Sequence, residues 1–285
     1  MLKQRIITAL LMLLVLLPAL FHTDTLYWRL VTLVLITAGA WEWGRLNGLG
    51  RYGALVGGFG SLVACVMAWD LGLLRSAHPL LWTLSGAAWV LVATALLKAG
   101  VSAWGRWPRA LRLVGGWSAL WLTWLAVVQA REIGVAFLLS ALLLVWMADV
   151  AAYFAGKAWG GRFSRVRLAP TISPGKSWEG VWGGVVAVLL LALVWLLLER
   201  AGVLPVPSLY GHLLDRGGWL LLPLALVFLT AMSVVGDLVE SLVKRSAGAK
   251  DSSRLLPGHG GVLDRVDALM PTLPLVMMFH TLLAA

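Results

Sequence analysis

Apolar and polar residues are segregated along this chain in long blocks. Apolar runs of spanning length lie near Ile6–Phe21, Tyr27–Gly44, Gly53–Leu74, Leu80–Leu97, Leu113–Val128, Ile133–Ala155, Val181–Leu198, Trp219–Val239 and Ala268–Leu283. A helix needs about 20 apolar residues to cross the hydrocarbon core of a bilayer, so the pattern predicts about nine transmembrane helices. The first run is short, contains Pro18 and follows Lys3 and Arg5, as a signal peptide would. No clean small-x-small cleavage pattern follows it, and it is read as a span. Glu199–Gly218, with Pro205 and Pro207, reads as an outer-side loop without a motif.

Composition supports the same class. Hydrophobic residues make up 60% of the chain, charged residues 13%, and the mean hydropathy is +0.88. A soluble domain carries roughly 25% charged residues. The expectation is an all-α, polytopic integral membrane protein: one domain over residues 1–285, with helices up to residue 130 as scaffold and 131–285 carrying the chemical motifs. No internal repeat stands out, which weighs against an inverted-repeat transporter. Gly57, Gly58 and Gly60 read as sites of close helix packing, and Cys65 as a small buried hydrophobe.

The net charge of +10 would suggest nucleic acid in a soluble protein. In a membrane protein, topology explains it better. With the N-terminus in the cytoplasm, 18 of the 23 Lys and Arg residues, Arg165 among them, fall on the cytoplasmic side. Arg29, Arg75, Arg131, Arg200 and Arg216 fall on the other. That bias is the positive-inside rule. It places the two polar loops, Gly156–Glu179 and Lys244–Asp267, at the inner surface. Trp28, Trp82, Trp104, Trp107, Trp178 and Trp219 lie near span ends and read as an interfacial belt. Glu42, near another span end, reads as snorkelling or paired with a neighbouring helix.

The densest polar block is Ser241–Asp267. Just before it, Asp237, Glu240, Ser241 and Lys244 recur at i, i+3, i+4 and i+7, one stripe on a helix. An unpaired carboxylate at Asp237 would be costly inside a membrane boundary. Asp264 and Asp267, three apart, share a face at the start of the last span and can be folded back toward Asp237. Three converging carboxylates suit a hard cation with oxygen ligands, hence Mg²⁺ at Asp237, Asp264 and Asp267. Lys244, Arg245, Lys250 and Arg254 precede Gly258-His259-Gly260-Gly261, a combination of cations and approachable backbone that suits polyphosphate. Topology alone would also account for the cations. A second element comes from Asp149, Ala152, Tyr153 and Gly156 on one helical face, followed by Ser173-Pro174-Gly175-Lys176-Ser177-Trp178-Glu179-Gly180. Lys176 can meet a triphosphate, Ser173 can bind phosphate or cap a helix, and Ser177 does one or the other as well. The Gly-Lys-Ser run lacks the first glycine and preceding strand of a Walker A loop.

These segments resemble the signature of the phosphatidate cytidylyltransferases, or CDP-diacylglycerol synthases. The matching positions are Ser241, Lys244, Arg245, Lys250, Asp251, His259, Gly260, Gly261, Asp264, Arg265 and Asp267, together with Asp149–Tyr153 and Ser173–Gly180. Val150-Ala151 and Ser177 are mild departures, touching only the detail of nucleotide contacts. The resemblance implies that CTP and phosphatidic acid give CDP-diacylglycerol and pyrophosphate, with the lipid phosphate as nucleophile. Asp237, Lys244, Arg245, Asp264 and Asp267 would be catalytic. Asp149, Tyr153, Ser173, Lys176, Ser177, Ser241, Lys250, His259, Gly260 and Gly261 would bind substrate, with His259 positioning rather than moving a proton. It leaves room for a second cation beside Mg²⁺. Dimerisation, as a homodimer, rests on the resemblance alone. The expected location is the bacterial cytoplasmic (inner) membrane, among membrane lipid, with no nucleic-acid partner. A CTP-dependent lipid kinase and a proton-coupled transporter are the alternative readings; the gathering of charge at one surface disfavours the transporter.

Overall fold

The computed structural model describes residues 2–164 and 166–284; Arg165, one of the cations counted above, lies outside them. The chain forms α1 (Leu2–Phe21), α2 (Leu26–Leu46), α3 (Arg51–Asp70), α4 (Pro79–Ala99), α5 (Val101–Trp104), α6 (Arg109–Ile133), α7 (Val135–Trp159), α8 (Trp178–Arg200), α9 (Leu209–Ser246), α10 (Leu263–Val266) and α11 (Leu269–Ala284). Among the described residues, eight stretches are long and apolar enough to cross a membrane, Leu263–Ala284 counting as one. Helix α2, of 21 residues, carries Arg29, Glu42 and Arg45 and is not among them. The described residues form no strand. Isolated bridges at Ala169–Ser173 and Leu256–Gly260 pinch the two polar loops closed.

Helices α9 and α11 lie at the centre. α9 packs on α11, α8, α7 and α4, and α11 packs on α4 and α6 as well. Lipid tails are as apolar as leucine, so such helices associate through close packing and small residues. The α7–α8 contact shows this. A Cβ at Gly180 would lie 2.9 Å from the Ala152 carbonyl oxygen, one at Gly183 2.3 Å from the Ala155 Cβ, and one at Gly184 2.9 Å from the Ala148 carbonyl oxygen. The close approach draws the polar end of α7 against the start of α8. Gly236 does the same between α9 and α11: a Cβ there would lie 2.4 Å from the Asp267 carbonyl oxygen. The bare position before Asp237 thus brings Asp237 and Asp267 together.

Helix α1 packs along α2 and leaves Leu10, Leu11 and Leu14 exposed, the apolar surface that lipid covers. Its start is tied to the loop before α10. Arg5 Nε donates to the Gly258 carbonyl (3.0 Å) and Thr8 Oγ1 to the Pro257 carbonyl (2.8 Å). α2 runs back along α1, and its far end meets the same loop through Glu42.

Three expectations need correction. Trp28, Trp82 and Trp104 are core residues at 4%, 0% and 5% exposure, not a belt. Their rings fill helix crossings, and two of the indole N–H groups find acceptors in the Val127 carbonyl and Asn47 Oδ1. Glu199–Gly218 is not all loop. The prolines mark only its approach; Ser208 then caps a helix by accepting from Gly211 N–H, and Leu209, Tyr210 and Leu213 are buried. Tyr210 Oη donates to the Ser140 carbonyl at 2.9 Å, and Gly218, at φ 71°, makes the kink into the rest of α9. Gly57 and Gly58 do lie at helix contacts, but Gly60 faces open space. Cys65 is fully buried, as its setting predicts.

Candidate active site

One cavity of about 510 Å³ gathers the polar segments. The polar end of α7 supplies Asp149 and Tyr153, the stretch before α8 supplies Lys176 and Ser177, and α9 supplies Asp237. Asp264, Arg265 and Asp267 come from the helical turn that opens the last span, and Lys157 joins from the end of α7. The i, i+3 spacing of Asp264 and Asp267 places both on one side of that turn, as the sequence predicts.

The acids are held by neighbouring cations and donors. Lys176 Nζ lies 2.6 Å from Asp237 Oδ2, while Ser241 Oγ donates to Asp237 Oδ1 at 3.2 Å. Lys244, one helical turn after Glu240, bridges Glu240 and Asp264 and sits 2.6 Å from Asp264 Oδ1. Asp264 Oδ2 accepts Gly261 N–H (2.7 Å), Ser252 N–H (3.0 Å) and Ser252 Oγ–H (2.9 Å). Asp267 Oδ1 accepts Ala268 N–H at 2.7 Å. The stripe on α9 is therefore real: its Ser241 serves Asp237, and its Lys244 serves Glu240 and Asp264.

Each polar loop is built around a buried glutamate. In the first, Ser177 caps α8 by accepting Gly180 N–H at 3.2 Å, which settles its capping role, and it also lines the cavity. Glu179 Oε1 accepts Phe163 N–H (3.0 Å) and Ser164 N–H (2.7 Å), and Lys176 N–H donates to the Ser173 carbonyl. The last bond fixes the turn that presents Lys176, and Glu179 ties the segment after α7 to the first turn of α8. In the second loop, Glu42 from distant α2 is fully buried. It accepts from Ser252 Oγ (3.2 Å), Ser253 Oγ (2.5 Å), Val262 N–H (3.0 Å) and Leu263 N–H (2.6 Å). Glu42 is thus not snorkelling: it is paired with the N-terminus of α10, through Val262 and Leu263 N–H, and the loop before that helix closes over it. Nothing local to α2 announces this, because the donors come from the other end of the chain.

Other predicted residues lie off the cavity wall. Arg245 is exposed and donates to the Ala249 carbonyl, closing the turn after α9. Lys250 is exposed, Ser173 serves its own turn, and His259 is half-buried with Nδ1 unpaired. Gly260 and Gly261 have a packing role. A side chain at Gly260, where φ is +82°, would start 2.6 Å from Asp264 Oδ2. One at Gly261 would start 2.1 Å from Ser252 Oγ and 2.4 Å from Glu42 Oε1. Glu42, Lys157, Glu179, Ser252, Ser253 and Arg265 are the residues that pattern reading left without a role.

The donor chemistry fits a hard cation. Carboxylate oxygens of Asp237, Asp264 and Asp267 share one wall with no thiolate or imidazole among them. Among the described residues, however, no three such side chains close around a single point. Lysine ammoniums stand beside Asp237 and Asp264. On the other side of α9, an apolar cavity of about 280 Å³ is lined by Trp89, Leu96 and Leu122 and reaches Gly236, Val239 and Glu240.

Comparison with known proteins gives a consistent result. Residues 3–283 match the model of the "Cytidylyltransferase family". The chain is 39% identical to the phosphatidate cytidylyltransferase of Pseudomonas aeruginosa over 277 residues, covering 96% of this chain and 95% of that protein. It is 35% identical to that of Haemophilus influenzae, covering 98% and 99% respectively. With the Brucella suis protein of the same name it shares 43% over 178 residues, 62% of this chain and 58% of the other.

Proposed function

Because the chain belongs to the cytidylyltransferase family, we propose that it transfers CMP from CTP to phosphatidate, releasing pyrophosphate. The observation that carries this reading is the mixed cavity wall: four aspartates with Lys157, Lys176 and Arg265, all at one end of an apolar bundle. An acid-rich wall alone would repel both substrates, and a basic wall alone would hold no metal.

A phosphate oxygen of phosphatidate forms a bond to the α-phosphorus of CTP. The bond from that phosphorus to the bridging oxygen breaks, and pyrophosphate leaves with the electron pair. A phosphomonoester has its second pKa near ~6 and is mostly dianionic at neutral pH, so the step needs no general base. The difficulty is bringing two anions together. Lys176, Lys157 and Arg265 counter the triphosphate, while Asp149 and Tyr153 form the nucleotide side. Lys244, off the cavity wall, neutralises Asp264 from behind. Mg²⁺ held by Asp237, Asp264 and Asp267 would supply charge between the two anions and fix the line of attack. The apolar cavity across α9 takes the acyl chains, which enter laterally from lipid. The cation bias of the loops supports a site facing the cytoplasm of a bacterial inner membrane.

Purified protein in detergent, given labelled CTP and phosphatidate, should form a CDP-lipid and pyrophosphate in equal amounts. CDP in place of pyrophosphate would identify γ-phosphoryl transfer, the lipid-kinase chemistry, and overturn this reading.

A further inference from the structure

A carboxylate buried in an apolar bundle is costly unless its oxygens are satisfied. Glu42 is satisfied entirely by one loop and the start of α10: the hydroxyls of Ser252 and Ser253 and the N–H groups of Val262 and Leu263. Those donors flank both sides of the segment that carries His259, Gly260 and Gly261. Gly261 approaches the carboxylate so closely that no Cβ fits. The loop therefore takes its shape from a residue that lies more than two hundred positions earlier in the chain.

The link continues to the site. Ser252 Oγ lies 3.2 Å from Glu42 Oε2 and 2.9 Å from Asp264 Oδ2. A hydroxyl has one proton to give, so the two carboxylates share it. Ser252 N–H and Gly261 N–H hold Asp264 as well. Fixing the loop thus fixes the carboxylate that pairs with Lys244.

We propose that Glu42 is a positioning residue for the transfer reaction: it shapes the Ser252–Leu263 loop and, through Ser252, orients Asp264. The inference rests on the activity proposed above, and it joins the N-terminal helices to the chemistry rather than leaving them as scaffold. Glu42→Gln is the informative variant. A glutamine amide offers one accepting oxygen, and the serine hydroxyls can turn to accept from its NH₂. The Val262 and Leu263 N–H groups cannot turn, so one of them loses its acceptor in either amide orientation.

The test measures steady-state rates of CDP-lipid formation and, separately, backbone amide hydrogen exchange of the detergent-solubilised full chain. For Glu42→Gln, kcat should fall about 10- to 100-fold, the range a displaced catalytic group produces. KM for CTP should stay within about threefold, because the Lys176 side of the cavity is not touched. Exchange should accelerate at residues 252–263 and stay unchanged in α7 and α8. Ser252→Ala removes only the bridge and should lower kcat while leaving the Val262 and Leu263 amides protected; it decides the matter if Glu42→Gln does not fold. Wild-type kcat in either folded variant would overturn the proposal, as would loss of kcat in Glu42→Gln with loop exchange unaltered. A wild-type protein that makes no CDP-lipid would instead overturn the activity itself, and the exchange experiment would still report whether Glu42 shapes the loop.

Discussion

Lys176 Nζ lies 2.6 Å from Asp237 Oδ2, joining the loop before α8 to the middle helix of the bundle. Each side chain is partly exposed, at 25% and 31%, so both remain accessible to a ligand in the cavity. On the proposed reading the pair is a holding contact, for which an arriving polyphosphate would compete, freeing the carboxylate. Lys176→Met should therefore raise KM for CTP by about tenfold or more, in keeping with loss of a charge-assisted phosphate contact. Titration of initial rate against CTP measures it; an unchanged KM would remove Lys176 from the nucleotide side.

Asp264 is the most constrained acid of the site, accepting from Lys244, Ser252 and Gly261. Asn at this position keeps the shape but loses the charge and one acceptor. Asp264→Asn should lower turnover by at least about a hundredfold, as loss of a transition-state electrostatic contact does, while the protein still inserts and elutes as a single species. Full activity in that variant would exclude a charge role for Asp264.

His259 does not line the cavity, and the proposed phosphate nucleophile would be mostly dianionic at neutral pH. His259→Ala should leave the shape of the pH–rate profile unaltered, whatever its effect on the absolute rate. Disappearance of one limb of the profile would assign the imidazole to proton transfer.

Gly236 sets the distance between two acids without carrying chemistry. Its missing Cβ would meet the Asp267 carbonyl oxygen at 2.4 Å and the Pro271 ring at 2.8 Å. Backbone cannot give way as a flexible side chain can, so Gly236→Ala should spread α9 from α11. The expected result is loss of most activity together with a lower thermal midpoint, read by a thermal-shift assay in detergent. Wild-type values of both would show that the crossing adapts without cost.

Much of this site is legible in the sequence because its acids obey helical spacing. Asp149 and Tyr153 lie one turn apart, as do Asp264 and Asp267, and all four line the cavity. Asp237, Ser241 and Lys244 share a stripe that the structure uses. What escaped reading depends on which distant segment covers a residue. Glu42 resembles any acid near a span end until Ser252, Ser253, Val262 and Leu263 close over it. Arg245 and Lys250 carry the charge a phosphate site needs, yet each points to the surface, because loop direction is not encoded in spacing. The tryptophans misled for the same reason: a large ring near a span end suits either the headgroup layer or a helix crossing, and Trp82 and Trp104 took the crossing. The helical segment after Ser208 was hidden by Pro205 and Pro207, which break the chain only before it begins.

The proposed mechanism requires the aspartates of the cavity to hold a divalent ion that lets two anionic substrates react. Its most direct test is pyrophosphate release from CTP and phosphatidate by the purified protein, before and after removal of divalent metal with chelator and after readdition of Mg²⁺. The account predicts that release stops on chelation, returns with Mg²⁺, and fails to return in Asp264→Asn. Undiminished release in the presence of excess chelator would contradict it.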